Sequence, residues 1–122
     1  DVVIHTAAHV HQMKEAETKD NLADYRNINV EATMNLARWA DAMRVRRFVF
    51  LSSVKAAGES SIVDFPLRVN DEDCPRDSYG ISKMEAEKLT IKYLKNKENK
   101  FCIIRPSNIY GPNQKNLNQK QA

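Results

Sequence analysis

The sequence predicts an α/β domain built on a doubly wound parallel sheet. Three short runs rich in Val, Ile and Phe, at residues 2–4, 48–51 and 101–104, are continuous rather than alternating. Such runs are typical of strands buried on both faces of a parallel sheet. Two stretches of helical character separate them, and the order strand, helix, strand, helix, strand favours right-handed βαβ units.

The first helical stretch carries an apolar stripe with one polar member. The stripe recurs at three- and four-residue steps, through Leu22, Tyr25, Asn29, Ala32, Leu36, Trp39 or Ala40, and Met43. Burying an amide without partners costs roughly 1–3 kcal/mol. We therefore expect Asn29 to have a specific hydrogen-bonding role, either in tying a neighbouring strand end or in contacting a ligand.

The second helical stretch, from about residue 78 to 97, carries a pair of residues suited to proton transfer. Good helix formers dominate it, and neither Gly nor Pro interrupts it after Gly80. Tyr79 and Lys83 are four residues apart and share one helix face. A nearby ammonium lowers the pKa of a phenol and so suits it to general acid/base catalysis. Ser53, at the end of the second predicted strand, is placed to orient the same substrate hydroxyl.

A second Tyr-x-x-x-Lys pair, Tyr93 and Lys97, lies late in the same lysine-rich stretch. There an aromatic side chain more often packs and a lysine is more often solvated, so the sequence favours Tyr79 and Lys83. Topology agrees, because ligands of open α/β sheets bind beyond the carboxyl ends of the strands. The segments that follow the three strands are residues 6–11, 52–58 and 106–111.

Composition excludes several classes of function. The chain has 122 residues, enough for one modest core, and its net charge of +3 comes mostly from lysines on one helix, so we expect no nucleic-acid partner. No apolar run reaches the length of about 18 residues that a membrane span needs. The two cysteines form no CxxC motif, which favours reduced thiols in a cytoplasmic protein. The start at Asp1, without Met and directly before a strand, indicates an internal fragment of a longer chain.

Two polar clusters have simpler interpretations than a catalytic or metal site. His5, His9 and His11 have no carboxylate or cysteine at ligand spacing, so we expect no metal site. The acidic run at residues 71–73 resembles a paired acid and base, but a solvated loop before a proline is the simpler interpretation.

Five motifs in order resemble the extended short-chain dehydrogenase/reductase superfamily, of the NAD-dependent epimerase/dehydratase type. The resemblance runs through nearly the whole chain. The five segments are Val-Ile-His-Thr-Ala-Ala at residues 3–8, Asn-Val-Glu-Ala-Thr at 29–33, Phe-Leu-Ser-Ser at 50–53, Tyr-Gly-Ile-Ser-Lys at 79–83, and Arg-Pro-Ser-Asn-Ile-Tyr-Gly-Pro at 105–112.

The resemblance implies a Rossmann-like fold of which residues 1–122 are the C-terminal part. The glycine-rich loop, and with it the residue that separates NAD from NADP, would precede Asp1, and the substrate domain would lie mostly beyond Ala122. It implies Ser53, Tyr79 and Lys83 as catalytic residues, and Ser53 and Asn108 as contacts to the substrate. The implied cofactor, NAD with NADP not excluded, would contact Thr6, Ala7, Ala8, Asn29, Ser52, Tyr79, Lys83 and Ser107.

Within the superfamily, residues 8–13, 52–55 and 58–59 look most similar to bacterial sugar-nucleotide 4-epimerases and 4-ketoreductases of polysaccharide synthesis. The 4,6-dehydratases usually carry Asp-Glu after the catalytic Thr, whereas this chain has Val54-Lys55, which disfavours dehydration. Many members carry Val-Tyr-Gly after the catalytic serine, and this chain lacks that Tyr.

The resemblance therefore implies a cytoplasmic NAD-dependent 4-epimerase that acts on a nucleotide sugar through a transient 4-keto sugar. Three alternatives stay open: an NAD(P)H-dependent 4-ketoreductase of a nucleotide sugar, a reductase of a non-sugar carbonyl, and a non-catalytic dinucleotide-binding relative. Relatives often dimerise through the two predicted helices, so we expect a homodimer.

Overall fold

Three parallel strands form the centre of the molecule. The computed structural model describes residues 1–10, 22–58 and 64–112. Strands β1 (Val2–His5), β2 (Arg47–Leu51) and β3 (Lys100–Ile104) form one sheet in the order β1-β2-β3. Val3 pairs with Phe48, and Phe48 with Phe101. The predicted parallel α/β fold is confirmed, and all three apolar runs lie in strands.

The helices connect these strands in the predicted order. A helical segment formed by α1 (Leu22–Tyr25), a π-helical turn (Arg26–Glu31) and α2 (Ala32–Ala42) leads to β2. Helix α3 (Ser78–Leu94) leads to β3 and ends three residues before the predicted end. None of the helices in the described ranges is long and apolar enough to cross a membrane.

The π-helical turn makes the predicted apolar stripe only partly right beyond Asn29: Leu36 packs against the core and Ala40 is fully buried, but Ala32 and Met43 are exposed. The buried residues are Tyr25, Asn29, Val30, Thr33, Met34, Ala37 and Ala40, whereas Trp39 and Met43 are 51% and 62% exposed. A π-helical turn has more residues per turn than an α-helix. The face that packs inward is therefore displaced by about one residue along the sequence, and a uniform helical period cannot predict it.

The hydrophobic core lies on one face of the sheet. Phe48 and Phe50 of β2 are fully buried in a cluster that also contains Ala37 and Ala40 of α2 and Ala86 and Leu94 of α3. On the opposite face Val2, Ile4 and Ile104 are 53%, 65% and 44% exposed. The prediction of strands buried on both faces is therefore wrong for the described residues, because α2 and α3 both pack on the same face.

Candidate active site

Two of the three predicted catalytic residues, Ser53 and Tyr79, meet at the carboxyl end of β2. Ser53 lies two residues beyond this strand, and Tyr79 lies in the first turn of α3. The side chain of Ser53 lies close enough to the Tyr79 hydroxyl to act on it as a hydrogen-bonding partner that lowers its pKa. The segment after β3 joins them, because the Val54 amide donates to the Pro106 carbonyl at 3.1 Å. Two of the three segments expected from topology are therefore in direct contact.

Lys83 is buried beside this pair. Lys83 is only 1% exposed, and its Nζ atom donates a hydrogen bond to the backbone oxygen of Leu51 at 2.9 Å. The ammonium also lies 4.4 Å from the centroid of the Phe50 ring. Burial lowers the pKa of Lys83 to about 8, and the carboxylate of Glu87 opposes that shift. Burying a cation is costly. A functional requirement therefore explains the lysine at this position better than stability does.

The electrostatic environment of Tyr79 differs from the expectation. Burial raises its pKa above the ordinary value, while the hydrogen bond with Ser53 and the charge of Lys55 lower it and Asp77 raises it. The sequence-based interpretation, in which Lys83 depresses this pKa, is therefore wrong in this structure: the Lys83 ammonium points to the Leu51 carbonyl. The cation that does act on the phenol is Lys55.

Asn29 ties the loop after β1 to α3. Its Oδ1 accepts from the His9 amide at 2.7 Å, and its Nδ2 donates to the His9 carbonyl at 3.1 Å and to the Ser82 hydroxyl at 3.0 Å. Both amide hydrogens therefore have protein partners. The π-helical turn allows Asn29 and Val30 to be buried side by side. The geometry supports the structural alternative for Asn29, and its direct contact with a cofactor stays a prediction.

The histidines take part in packing and hydrogen bonding. Nε2 of His5 lies 2.8 Å from Oγ1 of Thr33, whose own proton is donated to the Asn29 carbonyl, so His5 is the donor. Burial, and then the charge of Lys83, lower the pKa of His5. His9 packs on Tyr25 at 4.7 Å between ring centroids, and Tyr25 meets Tyr79 edge-on at 6.3 Å. Among the described residues no group of His, Cys, Asp or Glu could hold a metal ion; His11 lies outside them.

The second Tyr-x-x-x-Lys pair has a different environment. The hydroxyl of Tyr93 donates to Asp41 at 2.9 Å, and Lys97 pairs with the same carboxylate at 3.3 Å. Asp41 raises the pKa of Tyr93. These residues lie near the amino ends of the strands, beside a cavity of about 410 Å³ whose lining includes Asp41 and Lys97 and none of the predicted catalytic residues.

Two ion-pair clusters near the site were missed from the sequence. Lys55 pairs with Asp77, the N-cap residue of α3, at 2.6 Å. Arg105 binds Glu87, through Nε at 3.0 Å, and Asp73, through NH1 at 3.0 Å. The expectation that the acidic run is a solvated loop is therefore wrong for Asp73. An acidic residue directly before a helix is a recognisable N-cap signal, but no sequence pattern announces the pairing with Arg105.

The remaining predicted residues surround the same strand ends. Thr6 and Ala7 are exposed, Ala8 is half-buried, and Ser107 and Asn108 are exposed. Ser52 is buried, and its hydroxyl has no partner within the described ranges. A buried hydroxyl and a lysine ammonium at one strand end fit the hydroxyl groups of a ribose. These positions therefore suit a dinucleotide, and their individual roles stay predictions.

Replacing Lys83 with Met should remove a pH-dependent part of the stability. Burial lowers the pKa of Lys83 to about 8 in the folded protein, whereas the ordinary pKa of a lysine side chain is 10.5. Between these two values the unfolded chain binds the proton and the folded protein does not. The free energy of unfolding should therefore rise with pH across this window, by about 3 kcal/mol in total. Urea unfolding of the full-length protein at several pH values measures the rise.

In the Lys83→Met variant this rise should be absent. Lys88 is exposed on the same helix, so Lys88→Met is a matched control that should keep the wild-type pH dependence. Curves for wild type and Lys83→Met that run parallel through the window would contradict the buried, charged state assigned to Lys83.

Comparison with known proteins gives the family. A model of the NAD dependent epimerase/dehydratase family matches residues 1–122. Over 114 residues the chain is 42% identical to a UDP-glucose 4-epimerase of Vibrio cholerae, an alignment that covers 93% of this chain and 34% of that protein.

Solved structures agree with this sequence similarity. UDP-glucuronic acid 4-epimerase from Bacillus cereus in complex with NAD has a TM-score of 0.76 at 27% identity, covering 93% of this chain and 34% of that one. RMD from Pseudomonas aeruginosa complexed with NADPH has a TM-score of 0.79 at 28% identity, covering 94% and 39%. The chain thus spans about a third of the length of these relatives. It belongs to the NAD-dependent epimerase/dehydratase family of extended short-chain dehydrogenases/reductases.

Proposed function

We propose that the protein containing this chain is an NAD-dependent 4-epimerase of a nucleotide sugar. The observation that carries the proposal is that Tyr79 and Ser53 come together at the carboxyl end of β2, with Lys83 buried at the same strand end. The 42% identity to a UDP-glucose 4-epimerase supports the substrate class. UDP-hexoses and UDP-N-acetylhexosamines are the substrates that we propose, with a role in polysaccharide biosynthesis.

Tyr79 and Ser53 would act on the 4-hydroxyl of the sugar. The Tyr79 hydroxyl would exchange a proton with the 4-hydroxyl of the sugar, and Ser53 would hold that hydroxyl in place. Because the pKa of Tyr79 is raised, the phenol is protonated at neutral pH and is a ready donor to a 4-keto oxygen. To act as a base it needs the stabilisation of the phenolate that Ser53 and Lys55 supply.

The cofactor would lie over the carboxyl ends of the strands. When bound, the nicotinamide supplies the redox chemistry, because it can accept a hydride from C4 of the sugar and return it to the same carbon. Lys83 and the Ser52 hydroxyl would hold the ribose, the loop at residues 6–8 and Ser107 would line the dinucleotide, and Asn108 would contact the sugar nucleotide. Asn29 would keep the loop after β1 in position through His9.

The parent protein would be larger than this chain. We propose that residues 1–122 are part of an NAD(P)-binding domain whose further elements cover the open sheet face of Val2, Ile4 and Ile104. A cytoplasmic homodimer is the proposed state. Exposed apolar side chains on the outer surfaces of the helices, such as Trp39 and Met43, support an interface there.

A product assay tests the proposal. The full-length protein is incubated with NAD and either UDP-glucose or UDP-N-acetylglucosamine, and products are separated by chromatography while nicotinamide absorbance is followed. We expect a C4 epimer with no net change in the cofactor. Stabilisation by NAD without turnover of any sugar nucleotide would instead indicate a non-catalytic relative.

A 4-ketoreductase is the second candidate. The similarity to RMD from Pseudomonas aeruginosa, solved with NADPH, favours it, with a TM-score of 0.79 at 28% identity. In the same assay a reductase would leave UDP-glucose unchanged. It would consume NADPH or NADH steadily only when a 4-keto nucleotide sugar is supplied.

A further inference from the structure

The loop that carries Ser53 is in close contact with the start of α3, which carries Tyr79. A methyl group added at Gly80 would lie 2.5 Å from the backbone oxygen of Lys55, closer than real Cβ atoms come. Only glycine therefore lets the loop approach this closely. The loop itself is shaped locally, because the Ser53 hydroxyl accepts from the Lys55 amide at 3.2 Å.

Asp77 joins both sides of this contact. One carboxylate oxygen caps α3 by accepting from the Gly80 amide at 2.6 Å. The other pairs with the Lys55 ammonium, also at 2.6 Å. The same carboxylate thus fixes the helix start and holds the loop against it. The side chains of Lys55 and Asp77 are 48% and 35% exposed, and a surface ion pair of this kind adds about 0–1 kcal/mol of stability.

The position of the pair is more informative than its energy. Lys55 is two residues after Ser53, and Asp77 is two residues before Tyr79, so the ion pair and the Ser53–Tyr79 hydrogen bond bridge the same two segments. Both charges also act on the phenol of Tyr79, in opposite directions: Lys55 lowers its pKa and Asp77 raises it. The Ser53 hydroxyl and the ring of Tyr25 also lie beside the phenol, and the Lys83 ammonium is buried at the same strand end.

We propose that Lys55 and Asp77 are a positioning pair, which holds the loop of Ser53 against the helix start of Tyr79 and thereby sets the hydrogen bond between the two hydroxyls. The proposal rests on the function proposed above for Tyr79 and Ser53.

Charge-removing variants of the full-length protein test the pair. Asp77→Asn keeps an N-cap acceptor for Gly80 and removes the charge, and Lys55→Met removes the partner. Each should lower kcat, by about tenfold to a hundredfold for Lys55→Met, with KM for UDP-glucose or UDP-N-acetylglucosamine within about twofold. Lys55→Arg should restore most of the rate, since it keeps the charge. Lys97→Met, which removes an ion pair at the other end of α3, is the matched control and should leave kcat and KM unchanged.

The pKa of Tyr79 distinguishes the positioning pair from a purely structural ion pair, which would leave that pKa unchanged. Carbon-13 NMR of labelled tyrosine follows this ring, whose signal is identified by its loss in Tyr79→Phe. Lys55→Met should raise the pKa of Tyr79 and Asp77→Asn should lower it. Where turnover is measurable, the pH profile of kcat should shift in the same two directions.

The outcomes separate the two proposals. If Tyr79→Phe is inactive while both charge variants keep the wild-type kcat and Tyr79 pKa, the positioning pair is overturned and the catalytic assignment stands. If Tyr79→Phe is fully active, the proposed function fails. If neither sugar nucleotide is turned over, the NMR titration of Tyr79 is the deciding test. The positioning pair is overturned if Lys55→Met and Asp77→Asn leave the Tyr79 pKa unchanged or shift it in the same direction.

Discussion

Replacing Tyr79 with Phe should lower turnover by about 10²- to 10⁴-fold, the range in which a positioned acid/base group contributes to catalysis. The substitution removes the one oxygen that bonds to Ser53 and keeps the ring that packs edge-on against Tyr25. Binding of NAD, measured by calorimetry on the full-length protein, should therefore stay within about twofold of wild type. The loss should appear in kcat, because the hydroxyl acts on the reacting sugar.

Tyr93→Phe is the matched control for this loss. It removes a hydroxyl from the other Tyr-x-x-x-Lys pair in the same helix and breaks one hydrogen bond to Asp41. Turnover should stay close to wild type. A large loss in Tyr93→Phe, together with a near-normal rate in Tyr79→Phe, would sink the assignment of the catalytic tyrosine.

Replacing Arg105 with Met should cost the largest amount of stability of any change considered, about 3 kcal/mol. Arg105 holds Glu87, which is 3% exposed, and Asp73 in one cluster. Without the guanidinium, two carboxylates lose their cation and Glu87 is left buried and charged. The estimate is at the lower end for buried pairs, because the Arg105 side chain is 25% exposed. Urea unfolding of the full-length protein measures it.

The double variant Arg105→Met/Glu87→Met should recover part of this loss, since the buried Glu87 carboxylate is no longer left without its cation. The recovery should be incomplete, because Asp73 still lacks Arg105 and Lys83 loses the carboxylate that favours its charged form. Arg26→Met is the control for a surface pair. Arg26 pairs with Glu85 with half of its side chain exposed, so the change should cost less than about 1 kcal/mol. Equal losses for Arg26→Met and Arg105→Met would contradict the buried character of the Arg105 cluster.

The parts of the fold that follow local patterns were predictable. Continuous apolar runs predicted the three strands, because Val, Ile and Phe favour extended backbone. The pair Tyr79 and Lys83 was separated from Tyr93 and Lys97 by topology, since only the first pair lies beyond the carboxyl end of a strand. The structure brings Tyr79 to Ser53 as expected.

The features that were missed depend on long-range geometry. Nothing in the local sequence says that Lys55 reaches Asp77, 22 residues away, or that Arg105 reaches Glu87. The lowering of the Tyr79 pKa by Lys83 was inferred from helix spacing alone. Spacing along a helix determines the face on which Lys83 lies. It does not determine where the long, flexible side chain ends, and the ammonium donates to the Leu51 carbonyl.

The π-helical turn makes the helix before β2 sensitive to the number of residues rather than to their identity. Before the turn the helix presents Tyr25, beside Tyr79, and beyond it Thr33 and Ala37 are buried. Removing a single residue between positions 26 and 31 would restore an ordinary α-helix and rotate everything on one side of it by about 100°. After a one-residue deletion there, the helix could not place Tyr25 beside Tyr79 and also bury Thr33 and Ala37. Most substitutions would disturb only one of these two contacts.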